Sequence, residues 1–425
     1  MGIVVLGGRI LDPHNKRDET ADLIIEDGKV IDIRKGTHHR YADTFQIIDA
    51  KEKLVIPGLI DMHAHLREPG FEYKETIESG CRAAARGGIT SVACMANTNP
   101  INDNSSITEY IIKKARQTGI VRVFPVGAMT KGQNGESLAD IGELKEAGAV
   151  AISDDGKPVT NSEVMRRVLE YAKTFGIPVI SHCEDITLTN NGVMNEGFIS
   201  TQLGLKPIPK IAEEIMVARD ILLAQFTKTP VHIAHVSTAG SVNIIRRAKE
   251  KGVHITAETA PHYFTLTEEA VKGYNTHAKM NPPLRSPEDV KGILEGLKDG
   301  TIDVIATDHA PHTSIEKDVE FDYAAFGIIG LETMLPLTLK LVEENHLSLK
   351  DALIKLTVNP ARILNLKLGS LGIGDVADIA IIDLEKVFTY DVSQSFSKSR
   401  NSPFSHWSFK GDVVTTIVGG TIVYP

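Results

Sequence analysis

Eight short apolar runs, each followed by a segment of helical period, constrain this chain more than any other feature. They cover residues 59–65, 91–97, 121–129, 149–154, 178–183, 231–236, 254–259 and 304–308. Strand runs that are apolar throughout suit a parallel sheet covered on both faces. The segments between them carry helical spacing, as in Ile211, Ile215, Ala218, Leu222 and Phe226 at steps of 4, 3, 4 and 4. Eight such units over about 300 residues predict an α/β fold, a (β/α)8 TIM-type barrel spanning residues 56–365. An open doubly wound sheet is the alternative, but no GxGxxG or P-loop pattern follows the first run.

The two ends read differently. Ile3-Val4-Val5-Leu6 and Ala21-Asp22-Leu23-Ile24-Ile25 near the start have counterparts in Ala377-Asp378-Ile379-Ala380-Ile381-Ile382 and Thr421-Ile422-Val423-Tyr424 near the end. Short β-branched runs split by Gly and Asp read as strands and hairpins. Neither end is long enough to be stable alone. Residues 1–55 and 366–425 are therefore expected to form one composite β-sandwich domain.

Charge and composition exclude several functions. The 46 Lys and Arg against 55 Asp and Glu leave a net charge of -9, unsuited to a general nucleic-acid binder. No apolar run approaches the roughly 20 residues that span a bilayer. Ile3-Val4-Val5-Leu6 is too short for a signal-peptide core. Three cysteines, Cys81, Cys94 and Cys183, are too few for a disulfide framework, so a reducing cytoplasm is expected. Cys183 stands between His182 and Glu184; a small buried strand residue is the reading preferred over a nucleophile.

Polar and ionisable residues gather at the C-terminal ends of the eight runs. His63 and His65 close the first, Asn97 the second, Asp154 and Asp155 the fourth, His182 the fifth, His235 the sixth and Asp308 the eighth. In a barrel those ends converge on one face, where active sites are built. A lone strand histidine is more often a hydrogen-bonded core residue than a ligand. Several ligand types at equivalent ends reverse that inference. His63 and His65, two apart on a strand, point to the same side and can share one cation. Imidazoles with carboxylates suit zinc, and also manganese, cobalt or nickel. Asp308 beside a metal can bind it and accept a proton from water, although a helix N-cap is its bland alternative.

These residues resemble the amidohydrolase superfamily and, more narrowly, bacterial dihydroorotases of the class I type. The motifs are His63-Ala64-His65-Leu66-Arg67-Glu68-Pro69-Gly70, Met95-Ala96-Asn97-Thr98, Met280-Asn281-Pro282-Pro283-Leu284-Arg285, the stretch 306–312 and Ser397-Lys398-Ser399-Arg400-Asn401-Ser402-Pro403. The resemblance runs over nearly the whole chain. It implies zinc-dependent, reversible cyclisation of N-carbamoyl-L-aspartate to L-dihydroorotate, a step of pyrimidine biosynthesis, with a metal-bound hydroxide as nucleophile and Asp308 as general acid and base. His63, His65 and Asp308 are implied to hold one Zn2+ and His182 and His235 a second, with Asp155 bridging. Many superfamily members bridge with a carboxylated lysine. Here Ser153-Asp154-Asp155-Gly156 stands there instead, which weighs against hydantoinase and allantoinase.

Arg67 can present a bidentate fork to a substrate carboxylate. The resemblance adds Asn97 and His312 to that pocket, and Asn281 with the backbone of Phe326 and Gly327 to the substrate ring. A surface ion pair of Arg67 with Glu68 or Glu72 is the alternative. The stretch between His312 and Gly327 is long for a βα connection and reads as a lid. The family commonly has Pro-Phe-Gly at its end, and Ala325 replaces that proline here. Aspartate transcarbamoylase as a partner and a homodimer are further expectations from the resemblance. Silent members that only bind that partner usually lack metal ligands, and this chain keeps every one.

Overall fold

The computed structural model describes residues 2–36 and 44–425. From the start come β1 (Gly2–Asp12), β2 (Arg17–Glu26), β3 (Lys29–Arg34), β4 (Phe45–Asp49) and β5 (Leu54–Pro57). The far end adds β16 (Ile379–Thr389), β17 (Ser408–Val418) and β18 (Thr421–Tyr424). The strands expected to make a sandwich are hydrogen-bonded into one mixed sheet, ordered β18-β17-β16-β5-β1-β2-β3 with β4 also on β1. One strand serves both neighbours because the register of β1 shifts between Val5 and Gly8. Its first half pairs with β4 and its second with β5. A Cβ at Gly8 would lie 2.4 Å from a Val55 methyl, so the bend requires glycine. Ile3, Ile10, Leu23, Val55, Ile379 and Ile417 are buried together in this sheet's own core.

Between the ends lie the eight parallel strands. They are β6 (Leu59–Ala64), β7 (Ile89–Cys94), β8 (Arg122–Gly127), β9 (Ala151–Ile152), β10 (Val179–Ser181), β13 (Val231–Ile233), β14 (Ile255–Thr259) and β15 (Val304–Ile305). Two short strands, β11 (Met194–Asn195) and β12 (Pro207–Ile208), pair beside them. The eight are neighbours in chain order. Met62, Ala93, Val126, Ala151, Ile180 and Val304, on six different strands, share one buried apolar cluster, which only a closed barrel allows. The closure is largely a side-chain seam. Past β15, His309 bridges Ala64, and Thr307 donates its N–H to Asp61 Oδ1 at 2.9 Å and its hydroxyl to Oδ2 at 2.5 Å.

The hydrogen-bonded strands are shorter than the apolar runs. The fourth is two residues and the eighth is two, where six and five were expected. Asp155, His182, His235 and Asp308 therefore sit on irregular backbone just beyond their strands, free of ladder geometry.

The helix Ile211–Thr227 forms where its periodicity places it, but the quoted stripe faces outward. Ile211, Ile215, Leu222 and Phe226 are 43%, 45%, 66% and 69% exposed. Ala212, Met216, Val217, Ile221 and Ala224 face the barrel instead. A helix apolar on two sides gives period without direction. Among the described residues, no helix is long and apolar enough to cross a membrane.

Candidate active site

One carboxylate lies at the centre of four imidazoles. Asp155 Oδ1 is 3.4 Å from His63 Nε2, 3.4 Å from His182 Nδ1 and 3.3 Å from His235 Nε2, and Oδ2 is 3.3 Å from His65 Nε2. All five residues are buried. Asp308 Oδ1 completes the cluster, 3.2 Å from His65 Nε2 and 3.5 Å from His63 Nε2. Two ligand groups result, His63 with His65 and Asp155, and Asp155 with His182 and His235. Asp155 belongs to both, the arrangement of a binuclear centre. Asp154 is excluded from it: its Oδ1 accepts from the N–H of Met129 at 2.7 Å and of Thr130 at 3.2 Å.

The donor set fits divalent cations. His63 Nε2, which faces Asp155, is buried with no hydrogen-bond partner. Such orphans are rare unless something else satisfies them. The nitrogen–oxygen separations equal the edge of a tetrahedron with arms of about 2.05 Å, roughly 3.3 Å, as for nitrogen and oxygen ligands of one ion.

Behind the ligands stand residues that aim them. His63 Nδ1 is 2.5 Å from Glu258 Oε1, whose other oxygen is 3.1 Å from His232 Nε2. His65 Nδ1 is 2.8 Å from Asn97 Oδ1, and His182 Nε2 is 2.8 Å from Glu184 Oε2. Each partner fixes which ring nitrogen faces the centre. Burial alone would push His63 down, but Asp155, Glu258 and Asp308 outweigh it and hold the imidazole well above its usual range. Burial likewise opposes ionisation of Asp155 and Asp308. The surrounding imidazoles, His63 foremost, outweigh it and keep both carboxylates below theirs.

Three residues here hold left-handed backbone: Arg67 at φ 60°, His235 at φ 31° and Asp308 at φ 46°. Side chains with a Cβ rarely adopt it, and it clusters at functional sites.

Beside the metal ligands lies a cationic pocket. Arg67 NH2 is 3.2 Å from His312 Nε2, and its Nε donates to Pro311 O at 3.3 Å. Neither Glu68 nor Glu72 pairs with it: Glu68 accepts from Ile77 N–H at 2.9 Å and Glu72 from Gly70 N–H at 2.8 Å. Desolvation pushes the Arg67 guanidinium down to about 10. Lys74 adds a second cation, 3.3 Å from His312 Nδ1 and 2.6 Å from Glu316. Burial, then Arg67 and Lys74, push His312 far below the usual histidine range, so its imidazole is neutral.

Asn97, Asn281 and Gly327 are each tied to residues already named. Asn97 bonds to His65, so its carbonyl is already engaged there. Asn281 Nδ2 donates to Glu184 Oε2 at 3.1 Å. Gly327 packs against His312, where a Cβ would lie 2.8 Å from the ring's Cδ2 and 2.4 Å from Ala310 O. Asn401, from the motif near the chain's end, accepts from His312 N–H at 3.0 Å and donates to Gly327 O at 2.9 Å. Cys183 is buried with its thiol pushed well up by desolvation, which makes it inert.

Residues 52–241 match the family model described as Dihydro-orotase-like. The chain is 57% identical over 424 residues to a dihydroorotase of Syntrophotalea carbinolica, covering 100% of this chain and 99% of that one. It is 58% identical to a dihydroorotase of Geobacter metallireducens, covering 100% of both. The chain belongs to the dihydroorotase family. Its enzyme class is therefore that of the cyclic amide hydrolases. Among solved structures, an L-hydantoinase (dihydropyrimidinase) from Arthrobacter aurescens aligns with a TM-score of 0.88 at 25% identity, covering 99% of this chain and 96% of that one. The barrel with its terminal mixed sheet is thus shared with hydantoinases.

Sequence reasoning overlooked three members of this dihydroorotase-family site: Glu258, Glu184 and Lys74. Glu258 had a visible signal, a carboxylate inside an otherwise buried strand, since buried charges are paired. Replacing it with glutamine leaves the shape and removes the negative charge behind His63. Affinity for a divalent cation is expected to fall about 10–100-fold, measured by competition with a chromogenic chelator.

Proposed function

We infer that this enzyme interconverts N-carbamoyl-L-aspartate and L-dihydroorotate, with two zinc ions as its metals. The observation that carries the reading is the shared Asp155 carboxylate between two histidine pairs, directly beside the Arg67–His312 pocket. Imidazole and carboxylate donors in this number suit zinc. His63, His65 and Asp308 would hold one ion and His182 and His235 the other, with Asp155 shared between the two groups. Bound there, the cations supply Lewis acidity, lowering the pKa of water and polarising the amide carbonyl under attack.

The chain's own groups do the rest. In ring opening the amide C–N bond breaks and a C–O bond forms. Asp308 takes the proton from the attacking water and passes it to the leaving ring nitrogen. In closure Asp308 starts protonated, and water leaves by the reverse path. One proton enters with the open form, so synthesis is favoured at lower pH. Arg67 holds the substrate carboxylate, and neutral His312, backed by Lys74, shapes the same pocket.

The stretch 313–326 adjoins this pocket through Glu316, 2.6 Å from Lys74. Lys317, buried at its base, donates to Ala325 O at 2.7 Å and Gly327 O at 3.1 Å. These bonds fix the carbonyls on either side of Phe326, whose ring takes the Lys279 ammonium at 4.5 Å. Ala325, in the place of the usual proline, donates its N–H to Glu316 O at 3.0 Å. Proline has no such donor. The Ala325→Pro variant loses one backbone bond of about 1 kcal/mol. A severalfold rise in KM for dihydroorotate at near-constant kcat is expected from steady-state kinetics.

The test is turnover of zinc-loaded protein on L-dihydroorotate, with hydantoin and allantoin in parallel. Chelator-sensitive loss of dihydroorotate, with hydantoin and allantoin turned over slowly at most, supports the reading. Preference for hydantoin or allantoin overturns the substrate assignment while retaining the metal centre.

A further inference from the structure

The motif at 397–403 has no part in the chemistry above. It lies between β16 and β17 of the terminal sheet, yet its side chains bond across to the barrel. Asn401 is the clearest case. Its buried amide accepts from His312 N–H at 3.0 Å and donates to Ala310 O and Gly327 O, each at 2.9 Å. Its own backbone carbonyl accepts from Ile329 N–H at 3.0 Å. A turn asparagine ordinarily bonds backbone within a few residues of itself. Here the side-chain partners lie 74, 89 and 91 positions away, on the two segments that carry Gly327 and His312.

The same segment holds the opposite wall of the cationic pocket. Ser399 Oγ donates to Lys74 O at 2.7 Å, and Lys398 N–H to Glu75 Oε1 at 3.0 Å. Ser397 Oγ donates to Glu75 Oε2, which also lies 3.3 Å from His309 Nε2, beside Asp308. Residues 397–401 thus tie the loop bearing Lys74 to the loop bearing His312, whose side chains stand 3.3 Å apart. We infer that Asn401 is a positioning residue for the substrate carboxylate, the anchor of a clamp at 397–401 that holds His312 and Lys74 in register with Arg67. The inference rests on the dihydroorotate reading of the site.

The residue type suits the task. Two carbonyl oxygens need donors and one N–H needs an acceptor, and a carboxamide offers both from one short side chain. Aspartate would set a carboxylate against two carbonyls. Alanine would leave all three groups without this partner in a buried place, where polar groups are rarely left unpaired. Gly327 O also receives Lys317 Nζ at 3.1 Å, so the clamp and the stretch 313–326 meet at one carbonyl. No residue of 397–401 belongs to either metal-ligand group. The effect of the clamp therefore falls on binding of the anion rather than on the chemical step.

Steady-state kinetics of the zinc-loaded, full-length enzyme on L-dihydroorotate provide the test, with metal content measured on each sample. Misplacing a binding group by about 1 Å can cost on the order of 100-fold, so Asn401→Ala is expected to raise KM about 10–100-fold, with kcat within about threefold and metal content unchanged. Ser399→Ala loses one hydroxyl on the opposite wall. It is expected to raise KM about 2–10-fold, and it decides alone where Asn401→Ala does not fold. In an Arg67→Met background, either substitution is expected to change kcat/KM less than about threefold, since the guanidinium served by the clamp is gone. A merely structural role would carry its full effect into that background. Unchanged KM in the folded variants overturns the inference, as does loss of metal, or an equal fold-change in kcat/KM with and without Arg67. A parent enzyme that does not turn over dihydroorotate overturns the substrate reading, and the inference with it.

Discussion

Asp308→Asn is expected to lose about 10²–10⁴-fold in kcat on L-dihydroorotate, the range of a missing general acid–base. The substitution is nearly isosteric and keeps an oxygen toward His65 Nε2, 3.2 Å away in the parent enzyme. What it removes is the capacity to hold and release a proton, since an amide does neither at neutral pH. The imidazoles around it keep the parent carboxylate ionised and ready to accept. Metal content is measured on the same sample. Two ions per chain with collapsed turnover assigns the loss to proton transfer. Turnover within tenfold of the parent, metals in place, would remove Asp308 from the role.

Arg67→Met is expected to lower kcat/KM for dihydroorotate by about 10³-fold. Two charge-assisted hydrogen bonds to a carboxylate contribute about 1.5–3 kcal/mol each, and a thioether replaces neither. The guanidinium already makes its bonds to Pro311 O and His312 in this structure, so it is held in position before substrate arrives. The control is a neutral cyclic amide such as hydantoin. Its slow turnover should hardly change, because it brings no carboxylate to the pocket. Equal losses on both substrates would mean that Arg67 supports the fold of this face rather than reading the anion.

Much of this was legible in the sequence because of residue chemistry at strand ends. His63, His65, His182, His235 and Asp308 were all nameable from six or eight residues of local context, since apolar runs ending in imidazole or carboxylate have few structural explanations. Asp155 was preferred to Asp154 only through the family resemblance, since local chemistry does not distinguish them; in three dimensions the neighbour's carboxylate accepts from Met129 and Thr130 instead. Partners that act from behind escaped notice. Glu258 supports His63 from 195 positions away in the chain, and no local pattern encodes that distance. Direction was equally hidden. The Ile211–Phe226 spacing specified a helix, but which face meets the barrel depends on neighbours, and Ala212, Met216 and Val217 offered a second face.

The left-handed backbone at Arg67, His235 and Asp308 carries a consequence for the history of such a molecule. Each strained residue costs about 1–3 kcal/mol, and glycine would relieve it. A population selected for melting temperature alone would drift toward glycine at all three positions and lose the groups to which the proposed mechanism gives metal-ligand, proton-carrier and anion-anchor roles. Stabilising screens of this enzyme should therefore hold those positions fixed, and seek their gains in the terminal sheet, whose described residues join neither metal-ligand group.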